Sequence, residues 1–154
     1  MKSCFLFGRS DSPDYILPKI ERSIEDHYSK LGVRYFYVGN CGNFDRLAAA
    51  AVKSIKRRHS DIQLFLLLSY HPGGHMVSFS EGFGGSYYPL MENVPRKFYI
   101  VRGNKYMVDT TDSIICYVNH IGNTRNLLEY AQRRQQKKTV IMENVADTIC
   151  NDSL

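Results

Sequence analysis

Residues 35–51 read YFYVGNCGNFDRLAAAA. An apolar and aromatic run enters a glycine turn, and the turn enters an alanine-rich helix. Few folds accept that order without a strand whose carboxyl end feeds a helix start. Gly39, Asn40, Cys41, Gly42 and Asn43 form the turn. Backbone N–H groups at a helix start, with the positive end of its dipole, attract anions. Glycine lets the backbone come close to a ligand. The same residues also fit an ordinary strand-to-helix turn that needs glycines for steric reasons alone.

The rest of the chain repeats this alternation. SCFLF at 3–7 predicts a first strand, and Ser12 before Pro13 predicts a helix start. Ile16, Ile20, Ile24 and Leu31 recur at helical spacing up to Gly32. A second strand is expected over 34–38, a helix over 44–59 and a third strand over 62–69. The LFLLL run in that third strand has the pattern of a central strand buried on both faces. Residues 70–95 break the rhythm with Gly73, Gly74, Gly82, Gly84 and Gly85, and read as a long loop of the kind that is either functional or mobile. KFYIV (97–101) predicts a strand, followed by a short polar or helical piece at 103–111. SIICYV (113–118) predicts a strand, 124–136 a helix and TVIM (139–142) a last strand. The expected architecture is α/β, a three-layer α/β/α sandwich on a mostly parallel sheet. The length of 154 residues fits one domain, 1–145, with a frayed tail at 146–154.

Composition narrows the classes. The apolar fraction of 44% is globular rather than disordered. No apolar run approaches the ~20 residues that cross a bilayer, and the start lacks the pattern of a signal peptide. Cys4, Cys41, Cys116 and Cys150 form no CxxC pair, which argues against a metal site and for a reducing, cytoplasmic setting. His71, His75 and His120 have no metal-like spacing. The net charge of +5 is concentrated in Lys53, Lys56, Arg57 and Arg58, and in Arg133, Arg134, Lys137 and Lys138. These cations fall late in their helices and suit the dipole there, while leaving room for a nucleotide or nucleic acid.

Ligands of such sheets sit beyond the carboxyl ends of the strands. Three loops are expected there: Gly8, Arg9 and Ser10; Gly39 to Asp45; and the segment at 119–124 with Gly122, Asn123 and Thr124. Arg9 fits either a fork on a phosphate or a surface arginine. Asp45 fits either a helix cap or a hydrogen bond to a ribose. Thr124 fits a cap or a phosphate contact. Glu129 fits a catalytic carboxylate or a solvated helix face.

FLFGR (5–9), YVGNCGNFDRLAAAA (37–51), YP (88–89), RGNKYMVDTTD (102–112) and GNTRNLLEYA (122–131) together resemble the Smf/DprA/LOG (SLOG) superfamily of Rossmann-like nucleotide-binding proteins. The chain looks most like its small stand-alone bacterial members. The resemblance implies a bound nucleotide or nucleotide-derived ligand, frequent homo-oligomers and no required cofactor. It implies no single activity: relatives load single-stranded DNA, hydrolyse nucleotides at the N-glycosidic bond, or sense NAD-derived signals. Gly39 and Asp45 resemble the family's strand-end glycine and helix-start aspartate. Arg102 and Asn104 resemble its R-x-N element, and Gly122 with Thr124 its second phosphate turn. Departures are informative. Asn43 and Ala49 stand where the DNA-loading branch carries glycine and histidine. Leu127 stands where the phosphoribohydrolase branch carries glutamate, and Glu129 lies off that helix face. The sequence therefore favours binding of a nucleotide-like small molecule. An N-glycosidase or transferase using Asp45 or Glu129, and single-stranded nucleic-acid binding, are the alternatives.

Overall fold

The computed structural model describes residues 2–39, 42–67, 85–87, 99–118, 123–136 and 141–145. They build strand β1 (Lys2–Gly8), helix α1 (Leu17–Leu31), β2 (Val33–Val38), α2 (Asn43–Lys56), β3 (Gln63–Leu67), β4 (Gly85–Tyr87), α3 (Tyr99–Thr110), β5 (Ser113–Tyr117), α4 (Asn123–Gln136) and β6 (Ile141–Asn144). The sheet has six strands in the order β4-β3-β2-β1-β5-β6. Every neighbouring pair is parallel. The expected α/β sandwich is therefore present, with its described ladders wholly parallel.

β1 shows why the sheet is covered on both sides. Its alternate residues enter two separate cores: Cys4 and Leu6 pack with α1 and α2, while Phe5 and Phe7 pack with α3 and α4. A parallel strand under helices on both faces has no solvent side, so its apolar residues run unbroken. β5 is buried throughout in the same way. Ile16, just before α1, and Ile20 and Ile24 on it recur every fourth residue and are fully buried. On α2, Phe44, Leu47, Ala48, Ala51, Val52 and Ile55 form the matching stripe. Gly32 closes α1 at φ 75°, with its N–H donating to the His27 carbonyl. That left-handed position suits glycine.

Four expectations change. The LFLLL strand is not fully covered: Leu64, Leu66 and Leu67 are buried in β3, but Phe65 is half-buried and packs with Tyr35 and Tyr37. Among the strands whose burial is described, β1 (from Ser3 to Phe7) and β5 are the ones enclosed on both faces. Residues 99–101 of the expected KFYIV strand belong to α3 instead. Gly103 and Met107 lie four apart and are buried, with Val108 beside them. That helical period, carried by the following residues, overrides the β-like composition of the start. The 70–95 segment contributes an edge strand, β4, and the rest of that segment lies outside the described residues. Finally, Ser12 does not cap a helix. Its hydroxyl donates back to the Arg9 carbonyl at 2.7 Å, a short 3₁₀ turn spans Asp14–Ile16, and α1 begins at Leu17 with Pro18 in its first turn. The 146–154 tail lies outside the described residues.

Candidate functional site

Because the strands are parallel, β1, β2 and β5 all end at one rim. From β1 the chain builds outward through β2 to β4 on one side, then returns to place β5 and β6 on the other. The order reverses between β1 and β5, the position at which open α/β sheets generally form a crevice. Gly8 ends β1 opposite Tyr117 of β5. The Arg9 N–H then donates to the Tyr117 carbonyl at 3.4 Å, which holds the first loop at this reversal.

Three glycines let side chains and backbone close together here. A Cβ on Gly8 would strike the ring of Phe44, which is fully buried. A Cβ on Gly39 would lie 2.9 Å from Asp45 Oδ2, so the Asp45 carboxylate folds back over the end of β2. A Cβ on Gly42 would lie 2.5 Å from the Ser10 Cα. The glycines of 39–42 thus serve the packing of one loop on another.

The contact at Gly42 brings the first loop onto the start of α2. The Asn43 N–H, the first of that helix, donates to the Ser10 carbonyl at 2.9 Å. Asn43 Nδ2 donates to the Ser12 carbonyl at 2.5 Å and to Asp14 Oδ1 at 2.8 Å. Asn43 Oδ1 accepts from Arg46 Nε at 2.8 Å, and Arg46 Nη2 reaches Asp14 Oδ1 at 2.9 Å. A helix start normally leaves its first N–H groups for a cap or ligand. Here one of them is taken by the protein's own carbonyl. Asn43 is accordingly a joint between loop and helix.

Arg9 is mostly buried, and its Nε pairs with Asp11 Oδ1 at 3.0 Å. Asn123 and Thr124 are the first two residues of α4 and so lie at the same rim. α3 ends two residues before β5, so its first turn faces that rim as well. Arg102 is exposed there and Asn104 half-buried. Among the described residues, no hydrogen bond or ion pair joins either one to the first two loops. Asn40, Cys41 and Gly122 lie outside the described residues. Glu129 is an exposed residue in the middle of α4 and faces Arg125 Nε at 3.6 Å, so of the two expected carboxylates, Asp45 and Glu129, Asp45 is the one beside the end of β2. Among the described residues, no group of three or more His, Cys, Asp or Glu could hold a metal ion, and no helix is long and apolar enough to cross a membrane.

Asp14, Arg46 and Phe44 belong to this assembly although the sequence pointed to none of them. Phe44 reads as one more apolar residue of a helical stripe. The Asn43–Arg46 spacing of three is a helical neighbour pair, but its link to Asp14 spans loops whose meeting only the fold reveals. No protein-family model matches the chain, and no curated protein matches it.

Proposed function

We propose that this protein binds a nucleotide-derived small molecule at the carboxyl rim of its sheet. The observation that carries this reading is the reversal of strand order between β1 and β5, with the Gly8–Arg9 loop anchored to the end of β5. In open parallel sheets, that crevice is where ligands bind. Arg9 supplies positive charge beside it. Asp45, folded over Gly39, offers a carboxylate to a ribose hydroxyl. Since the Asn43 N–H serves Ser10, the phosphate is assigned to the start of α4, at 122–124, where a helix dipole again favours an anion. The two buried free thiols, Cys4 and Cys116, fit a reducing cytoplasmic setting, and the resemblance adds an expectation of self-association.

The reading is tested by thermal shift against the common nucleoside monophosphates, NAD and NAD-derived nucleotides, followed by amide exchange with the best ligand. The expected result is a raised melting temperature with protection concentrated at 8–10, 39–45 and 122–124. No shift with any compound, or protection confined to another surface, would refute it.

A further inference from the structure

We propose that Tyr15 is the stacking platform for the planar ring of the ligand, an inference that rests on the nucleotide reading above. Tyr15 lies in the 3₁₀ turn that follows the first loop. At 68% relative exposure it is the most exposed large hydrophobic side chain among the described residues. Its hydroxyl has no hydrogen-bond partner among them, and its ring belongs to neither core cluster. Its backbone is held from both sides. Asp14, just before it, binds Asn43 Nδ2 and Arg46 Nη2 at 2.8 and 2.9 Å. Ile16, just after it, is fully buried in the core beneath α1 and α2. A bare aromatic ring therefore stands on a fixed support at the rim, one residue from the Asp14–Arg46 pair.

Ordering a loop and its side chains is part of what binding costs. A tyrosine whose backbone is already fixed needs little more than a rotamer choice to stack. Stacking on an aromatic ring tolerates any base, because every base offers a π-face. Tyr15 thus gives affinity for a heteroaromatic ring without selecting among bases, and selectivity must come from other residues.

The test uses the full chain and calorimetric titration with the tightest of AMP, GMP, CMP, UMP and NAD, and in parallel with ribose 5-phosphate, which has no base. Tyr15→Ala is expected to weaken the nucleotide about tenfold and to leave ribose 5-phosphate unchanged. Tyr15→Phe is expected to bind both as the wild type does, since it keeps the ring. The position is exposed, and equal melting temperatures of wild type and variants check that all of them fold. If the wild type binds a nucleotide and Tyr15→Ala binds it equally well, the platform is refuted while the nucleotide reading stands. Equal weakening of both ligands also refutes it. If the wild type binds none of the five nucleotides, both fall.

Discussion

Replacing Gly42 with alanine tests the joint between the first loop and α2. The backbone angles at Gly42 are extended, φ −176°, so an alanine there meets no intrinsic strain. The cost is steric alone. The added Cβ would sit 2.5 Å from the Ser10 Cα, and a backbone atom cannot rotate away as a side chain can. Residues 9–12 must lift off α2. That movement lengthens the bond from the Asn43 N–H to the Ser10 carbonyl and the one from Asn43 Nδ2 to the Ser12 carbonyl. Overpacking of this kind costs about 1–3 kcal/mol, and each weakened bond forfeits up to about 1 kcal/mol. Movement relieves the first term at the expense of the second, so the total is expected near 2 kcal/mol. For a chain of this size that lowers the melting temperature by roughly 4–8 °C. Urea unfolding followed by circular dichroism measures it. Pairing the change with Ser10→Gly should recover only part of the loss, because it removes the Ser10 Cβ at 2.5 Å but leaves the Cα at the same distance. A Gly42→Ala protein with wild-type stability would refute the close packing of loop and helix.

Three further outcomes follow from buried or networked groups. Phe44→Ala empties a fully buried site and should lower stability by about 3–5 kcal/mol, read from the urea midpoint; a loss under 1 kcal/mol would contradict the burial. Burial pushes the Cys4 thiol from its ordinary 9.0 up to about 12. The unfolded thiol ionises first, so its contribution is complete below pH 9 and falls by about 1.4 kcal/mol per pH unit above it; Cys4→Ala should flatten the stability profile between pH 9 and 10, and an unchanged slope would count against the assignment. Asp61 accepts a hydrogen bond from Tyr28 Oη at 2.7 Å and pairs with Arg34 Nε at 2.8 Å, and the Tyr28 bond holds its carboxyl below the usual value of 3.8. That contribution is present above about pH 4 and is lost as pH falls further, so Asp61→Asn should lessen the drop in melting temperature between pH 4 and 2.

The fold was legible because it is written in local patterns. Ile16, Ile20 and Ile24 announce a helix, and the unbroken CFLF and SIICY runs announce strands between two helical layers. What misled was locally ambiguous. FYIV has β-branched and aromatic residues that suit either state, and only the spacing from Gly103 to Met107 and Val108 shows the helix. Ser12-Pro13 has the composition of a helix start, yet the Ser12 hydroxyl finds a nearer acceptor in the Arg9 carbonyl. The candidate site was legible only as a set of loops at one rim. Parallel order makes the loops after β1, β2 and β5 share a rim, and alternation of strands and helices implies parallel order. The contacts within that rim are long-range: Asp14 and Arg46 meet from 32 positions apart, and nothing in either segment's own sequence specifies the other.

Those contacts also separate two meanings of a glycine-rich turn. Gly39 and Gly42 could keep the backbone bare for a phosphate or for a neighbouring segment, and sequence treats the two alike. At Gly42 the neighbour is Ser10, whose carbonyl also takes the Asn43 N–H. A carbonyl there satisfies the first amide of α2 without a full negative charge, and so fixes the first loop permanently rather than only when a ligand is bound. That fixed loop carries Arg9 at the reversal of the sheet and, three residues beyond Ser12, the exposed ring of Tyr15. On this view the start of α2 is a structural foundation for the binding rim, and the anion is left to the start of α4. The order of sensitivities follows: Asn43→Ala should damage stability before affinity, whereas Arg9→Ala should reduce nucleotide affinity with little change in melting temperature. The reverse pattern, measured on the same two variants, would return the phosphate to α2.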